Sequence, residues 1–292
     1  MNKKNIQVIG LFGILLLILT ALFIPGTAIA GGQGKFLIVG TGPGAPDLIS
    51  IRGAHSIKTA DVVFARQQSA EVFTDYLQDK QVISLPLFRY WEILEKECWD
   101  PAPEHRESCQ KLLAERKERA QMIRSFVNQG KKVVLLEGGD PCIFGSLRWI
   151  KQEFQDDEFE IIPGISSFNA TNALLKREVA DAYVAEKQTR SLIMTTPLRQ
   201  EDRYDSIPQL AASQATMVFF MPQGFENNVI PELLKHYSPQ TPVAVVRGAS
   251  IEGRQRILRG TLEKFPAQPP EEQWNRIIYV GEFLNDACGK FE

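Results

Sequence analysis

The sequence predicts an α/β fold built as two α/β domains, and three observations carry that expectation. Short apolar runs without alternation recur, as in Phe36-Leu-Ile-Val and Val134-Val-Leu-Leu. Strands covered on both faces of a parallel sheet have this appearance. Segments with apolar residues at helical spacing separate the runs, so strands and helices alternate. Glycine-rich turns follow several runs, where the backbone can lie close to a ligand beyond the carboxyl ends of the strands.

The chain opens on a different kind of segment. No charged residue occurs between Lys4 and Lys35, and most of the interval is aliphatic. Lys3 and Lys4, an apolar core from Val8 to Ile24 and the small residues of Pro25-Gly-Thr-Ala-Ile-Ala30 follow the grammar of a signal peptide cleaved before Gly31. The core also reaches the roughly 17 residues that cross a bilayer. Residues 1–30 are therefore expected to form a signal peptide or a membrane anchor, with a hydrophobic helix near residues 6–24. The remainder is expected to be exported, periplasmic or secreted, or held at the membrane.

The first domain is expected over residues 35–163. Phe36-Leu-Ile-Val-Gly is a strand running into Thr41-Gly-Pro-Gly-Ala-Pro-Asp, and Ser50 caps the helix that follows. Asp61-Val-Val-Phe-Ala and Gln81-Val-Ile-Ser-Leu are the next strands. A long helix carries Leu112, Leu113, Ala120, Ile123, Phe126 and Val127 and ends at Asn128-Gln-Gly130. The run from Val134 then stops on Glu137-Gly-Gly-Asp-Pro-Cys-Ile-Phe-Gly145. A helix over Leu147, Ile150 and Phe154 leads to Phe159-Glu-Ile-Ile-Pro-Gly-Ile-Ser-Ser167.

The second domain is expected over residues 164–292. Ser191-Leu-Ile-Met-Thr, Thr216-Met-Val-Phe-Phe-Met and Pro242-Val-Ala-Val-Val are its first strands, with a helix over Val229, Leu233 and Leu234. Arg256-Ile-Leu-Arg-Gly-Thr-Leu and Arg276-Ile-Ile-Tyr-Val-Gly follow with little helix between them, which predicts a mixed sheet. A boundary at Pro163-Gly164 puts a ligand cleft between the domains.

With 44% hydrophobic residues, 23% charged residues and a net charge of -2, the chain lacks the basic surface that nucleic acid requires. Four cysteines are too few to build the fold. Cys98 and Cys109 flank a Pro-interrupted loop; a bridge there would contribute about 2–3 kcal/mol, and two unpaired thiols are the equal alternative. No metal site is expected, because the chain has three histidines and no Cys-x-x-Cys or His pair at ligand spacing.

The order of motifs resembles the tetrapyrrole (corrin/porphyrin) methylase family. Its blocks are Gly40-Thr-Gly-Pro-Gly44 with Pro46-Asp-Leu-Ile-Ser50, Gly138-Gly-Asp-Pro-Cys-Ile-Phe-Gly145, Pro163-Gly-Ile-Ser-Ser167, Val218-Phe-Phe-Met221, Pro242-Val-Ala-Val-Val-Arg-Gly-Ala-Ser250 and Gly260-Thr-Leu262. The resemblance runs from about residue 36 to 284. It implies two α/β domains with S-adenosylmethionine in the cleft, a tetrapyrrole-like or related small acidic methyl acceptor, and a homodimer. Matching positions imply cofactor contacts at Pro43, Gly138, Gly139, Asp140, Ile143, Ser166, Ser167, Met221 and Ala249. Ser166 and Ser167 are equally suited to capping the next helix, and Asp140 to capping its own.

A sulfonium methyl is already activated, so the protein needs to align donor and acceptor and exclude water more than to supply reactive side chains. No catalytic residue is assigned. Family members that methylate carbon place an acidic residue just after the second strand, and Arg66 stands there instead. Its planar fork suits a substrate carboxylate. Two other readings compete. Gly40-Thr-Gly-Pro-Gly-Ala45 satisfies a dinucleotide fingerprint, with Arg66 placed for the phosphate of NADP, although Pro46-Asp-Leu-Ile-Ser50 delays the helix. The apolar leader and the missing carboxylate favour an exported, non-catalytic tetrapyrrole-binding module.

Overall fold

β1 (Lys35–Gly40) is an interior strand of the first sheet, although it comes first among the described strands. The computed structural model describes residues 34–85, 106–184, 187–198, 204–267 and 276–285. Beside β1 lie β4 (Lys132–Glu137) and β5 (Glu160–Ile162), with β2 (Val62–Ala65) and β3 (Gln81–Ser84) completing the order β3-β2-β4-β1-β5. Every pairing in this sheet is parallel.

Both faces of the sheet are covered, which is why its strands show no polar alternation. Phe36, Ile38, Phe64, Val133 and Leu135 pack on one side with Ile123 of α4 (Arg106–Asn128) and Ile150 of α5 (Leu147–Glu153). Val39, Val63, Val134 and Leu136 pack on the other with Ile57 of α1 (Ile51–Lys58), Phe73 and Leu77. Burying each such aliphatic side chain contributes about 1.5–3 kcal/mol before the entropy of ordering it is set against the gain. The short helices α2 (Gln67–Val72) and α3 (Thr74–Leu77) bridge β2 and β3. α4 ends where the sequence predicts. Gly130, at φ 78°, lets the Gly130 and Lys131 amides turn back to the carbonyls of Val127 and Phe126.

The second sheet has the order β11-β10-β12-β9-β8. Its strands are β8 (Leu192–Thr195), β9 (Thr216–Phe219), β10 (Pro242–Arg247), β11 (Arg256–Thr261) and β12 (Arg276–Val280). β8 and β9 are parallel and the remaining pairs antiparallel, so this sheet is mixed, as its late strand-rich sequence predicts. One face meets Phe225, Val229 and Leu233, carried by a π-helical turn (Phe225–Val229) and α8 (Ile230–Leu233); α7 (Ile207–Ala211) joins them. A separate hairpin pairs β6 (Ala182–Val184) with β7 (Lys187–Thr189).

α6 (Ser167–Leu175) carries the chain from one sheet to the other. It follows the first sheet in sequence yet packs on the second, where Phe168 stacks on Tyr279 at 6.3 Å between ring centroids. The buried Tyr279 hydroxyl donates to Asn172 Oδ1 at 2.7 Å, and burial raises its pKa. The result is a bilobal arrangement of two α/β sheets.

The expectation of a signal peptide or membrane anchor, and of an exported or membrane-held protein, is corrected. Among the described residues no helix is long and apolar enough to cross a membrane. The longest, α4, has 23 residues but carries arginine, lysine and glutamate along its length and buries its apolar stripe on the sheet. Residues 1–30, including the predicted hydrophobic helix at 6–24, lie outside the described residues. Cys109 is disulfide-bonded, while Cys98 lies outside the described residues.

Candidate active site

Four glycines, Gly40, Gly42, Gly139 and Gly164, bring the carboxyl ends of β4, β1 and β5 into direct backbone contact. Gly42 and Gly139 exchange hydrogen bonds, at 3.3 Å from the Gly42 amide and 2.8 Å from the Gly139 amide. A Cβ on Gly164 would stand 2.2 Å from the Gly139 carbonyl oxygen, and one on Gly40 would stand 2.5 Å from the Gly164 amide nitrogen. No side chain fits either position. Gly139 itself is left-handed, at φ 69°, and the space where its Cβ would point is open for 4 Å. The loop after β4 thus offers bare backbone to whatever lies beyond the sheet.

This junction gathers the residues expected on the first lobe. Pro43 sits one residue beyond the Gly42–Gly139 bridge, and Gly138 and Asp140 flank it on the other strand. Asp140 Oδ1 accepts from the Cys142 amide at 2.7 Å, and the Asp140 carbonyl accepts from the Ile143 amide, so this carboxylate shapes its own loop. Ser166 caps α6: its hydroxyl accepts from the Phe168 amide at 3.0 Å, with Asn169 completing a capping box. Ser167 is the first residue of that helix, and its carbonyl accepts from Thr171 Oγ1.

The second lobe meets these loops from the opposite side. Ile143 and Ala249 pack into one apolar cluster with Phe168, Val246 and Phe220. Phe144 lies against Phe220 with ring centroids 4.8 Å apart, next to Met221. A Cβ on Gly44 would meet Ile251 Cδ1 at 2.8 Å. Phe144, Met221 and Ser250 all hold positive φ, at 55°, 45° and 74°. Such strain in non-glycine residues concentrates where loops are shaped for a ligand. No local sequence signal announced it.

The residues fit an adenosyl cofactor on two counts. Buried beyond β9 and β10, Gln223 Oε1 and Ser250 Oγ have no hydrogen-bond partner among the described residues. Buried polar atoms are rarely left without a partner, so a water or a ligand is expected to meet each of them. At Gly139 the backbone is uncluttered, with nothing within 4 Å of where a Cβ would stand. The dinucleotide alternative fares worse. Only a 3-10 turn (Pro46–Leu48) follows the glycines, and α1 begins at Ile51 with Ser50 as its cap, too far along for its N-terminus to meet a pyrophosphate held there.

Arg66 follows β2 and lies across Gly138. Its Nη2 is 3.7 Å from Oε1 of Glu137, the last residue of β4. Ser146 donates to Glu137 Oε2 at 2.6 Å. Glu137 is buried, and burial pushes its carboxyl above the usual range against the opposing pull of Ser146 and Arg66. The sequence reading missed this carboxylate. Its one local signal is a glutamate ending an otherwise apolar strand. That it reaches Arg66 depends on β2 and β4 being neighbours.

The sequence pattern described as Tetrapyrrole (Corrin/Porphyrin) Methylases matches residues 35–266. The cobalt-precorrin-4 C(11)-methyltransferase of Methanocaldococcus jannaschii is 32% identical over 263 residues, covering 86% of this chain and 88% of that one. Among solved structures, a cobalt precorrin-4 methyltransferase of cobalamin biosynthesis superposes with a TM-score of 0.67 at 22% identity, covering 89% of this chain and 99% of its own. The uroporphyrin-III C-methyl transferase of Thermus thermophilus, in complex with S-adenyl homocysteine, gives 0.59 at 20% identity, covering 86% and 93%. Shared motifs in shared order over most of the chain settle the assignment: the chain belongs to the tetrapyrrole (corrin/porphyrin) methylase family and is an S-adenosylmethionine-dependent methyltransferase.

Proposed function

We propose that this enzyme methylates a porphyrinoid, precorrin or related small acidic acceptor, with S-adenosylmethionine held in the crevice where the two lobes meet near Pro163-Gly164. The observation that supports the reading is that the loops next to the Gly42–Gly139 bridge meet the second lobe, Gly44 against Ile251 and Phe144 against Phe220. Pro43, Gly138, Gly139, Asp140, Ile143, Ser166, Ser167, Met221 and Ala249 line the cofactor site in this reading. Gln223 and Ser250 join them as hydrogen-bonding partners.

The cofactor supplies an activated methyl group on a sulfonium. What the chain must add is alignment and dryness, and alignment alone can lower a barrier by up to roughly 7–11 kcal/mol. The glycine junction fixes the first-lobe wall without side chains that could swing. Ile143 and Phe220 give the opposite side an apolar lining. Arg66, partly exposed at the strand ends, is placed to hold a carboxylate of the acceptor. A non-catalytic carrier would need none of this strained alignment, and the family assignment sets that reading aside.

Titration calorimetry with S-adenosylmethionine and S-adenosylhomocysteine tests the proposal together with a radiolabelled methyl-transfer assay on uroporphyrinogen III and reduced precorrin mixtures. Saturable binding that Ser250→Ala or Gln223→Ala weakens about three- to tenfold, consistent with one lost hydrogen bond each, supports it. Wild-type protein that binds neither ligand refutes it.

A further inference from the structure

Phe144 stands in the loop after β4 under two conditions that work against folding. Its backbone is left-handed, at φ 55°, which a residue with a Cβ adopts only at a cost. Its side chain is 42% exposed, so much of the ring gains nothing from the core. Among the described residues no other exposed large apolar side chain sits on backbone of positive φ. Glycine meets such a turn without strain, as Gly139 does at φ 69° in the same loop. Strain of this kind is kept where a structure needs the side chain in that place.

The loop fixes where the ring stands. A Cβ on Gly145 would lie 2.2 Å from the Pro141 carbonyl oxygen, so the turn curls back tightly just after Phe144. The side chain of Ile143 packs into the apolar cluster of the second lobe. Phe144 meets only the edge of that cluster, its ring centroid 4.8 Å from that of Phe220 with the planes tilted by 38°. Phe220 is buried, and its amide donates to the Thr195 carbonyl at 2.8 Å. Part of the Phe144 ring is thus backed by a fixed partner, while the rest is open where the lobes meet.

A second side chain repeats the pattern. Ile165 follows Gly164, whose packing on Gly139 ties the turn after β5 to this loop, and it is 36% exposed. Each of the two loops joined by these glycines therefore leaves one large apolar side chain uncovered. Such surface favours an apolar or aromatic face and disfavours a carboxylate, which loses its water there. A ring of linked pyrroles with acid groups on its rim has faces of that kind; a small aliphatic acid has none. Aromatic pairs prefer offset or edge-on contact, which a tilted, half-open ring can offer.

We propose that Phe144 is a specificity-determining residue for the methyl acceptor: its ring, braced by Phe220, is the surface on which a pyrrole ring of the acceptor stacks. This rests on the reading of the acceptor as a porphyrinoid and narrows it, because an acidic acceptor without such a ring gains nothing at Phe144. Stacking there also keeps the acid groups of the acceptor away from the apolar junction, so it orients the macrocycle as well as holding it.

The test titrates uroporphyrin III into the full chain and follows its Soret band and fluorescence, with calorimetry of S-adenosylhomocysteine as the control. Phe144→Leu keeps the backbone strain and an apolar side chain but removes the ring, whereas Phe144→Tyr keeps the ring. Phe144→Leu should weaken uroporphyrin III binding about three- to tenfold, the range of one aromatic pair, and shrink the Soret shift. Phe144→Tyr should match the wild type, and S-adenosylhomocysteine affinity should be unchanged in both. Phe144→Gly should lose the same porphyrin affinity yet melt within about 3 °C of the wild type, because relief of strain offsets the lost Phe220 contact. It also supplies the comparison if Phe144→Leu does not fold. Equal uroporphyrin III affinity in the wild type and either ring-less variant, or parallel weakening of both ligands, overturns the inference and leaves the proposed function standing. Wild-type protein that binds S-adenosylhomocysteine but not uroporphyrin III overturns the inference and the porphyrinoid reading together, and leaves the methyltransferase assignment intact.

Discussion

The α-carbon of Gly164 rests against the carbonyl oxygen of Gly139, so close that a Cβ would stand 2.2 Å from it. This contact ties the turn after β5 to the loop after β4, and both loops belong to the candidate cofactor site. Gly164→Ala must therefore push the two loops apart. Overpacking of this kind costs about 1–3 kcal/mol, and urea unfolding should show it. Calorimetry should show S-adenosylhomocysteine binding weakened more than stability alone explains.

Tyr279 joins α6 to β12 through Asn172 at 2.7 Å inside the second lobe. Tyr279→Phe keeps the ring and its stacking on Phe168 but leaves the Asn172 oxygen without its donor. A loss of about 1–2 kcal/mol is expected, the cost of one unsatisfied buried group. A denaturation midpoint unchanged within error would contradict this account.

The buried Glu137 predicts a pH-dependent stability with a definite sign. Its folded-state pKa is raised, so the favourable neutral form is fully present below the unfolded value and is lost as pH rises through the folded one. Glu137→Gln should match the wild-type melting temperature in acid and exceed it increasingly as pH rises towards 8. Scanning fluorimetry across that range reads the gap directly.

Arg124 and Glu158 behave in the opposite sense. Arg124 holds the Glu158 carboxyl below its usual range, so their contribution is present above the unfolded pKa and is lost as pH falls through the folded one. Both are about a third exposed, which limits the pair to well under about 1 kcal/mol. Arg124 also lies 4.6 Å over the Phe154 ring. Arg124→Ala should therefore cost more than Glu158→Gln at neutral pH, about 1 kcal/mol when the cation–π contact is included.

Cys142 reports on the loop after β4. It is an exposed thiol whose pKa is raised by burial and by the neighbouring Asp140 carboxylate. Alkylation at Cys142, followed by peptide mass spectrometry at pH 8, should be slow in the wild type, faster in Asp140→Asn, and slowed again by S-adenosylmethionine.

Much of the fold was legible in the sequence because its strands are buried on both faces and its helices carry their caps. Ser50 and Gly130 mark helix ends by local chemistry that no tertiary contact overrides. The β6–β7 hairpin was not foreseen, since Ala182–Val184 and Lys187–Thr189 are three residues each with no apolar pattern. The candidate site divided in the same way. Gly138, Gly139 and Asp140 stand out as a glycine turn after a strand, whereas Glu137 gains its significance only from Arg66, 71 positions earlier. Strand order decides that meeting, and strand order is not written locally. Gln223 and Ser250 escaped for a related reason: their side chains look ordinary until burial strips them of partners.

The place of β1 in the first sheet also governs how this chain comes to exist. Its neighbours, β4 and β5, begin at Lys132 and Glu160, roughly a hundred residues further on. During translation the earliest strand has no edge to join until nearly half the polypeptide has left the ribosome. Contacts of such long sequence separation slow folding and leave apolar β1 uncovered meanwhile. A nascent chain released before Lys132 would carry the whole of that liability and neither of the strands that relieve it.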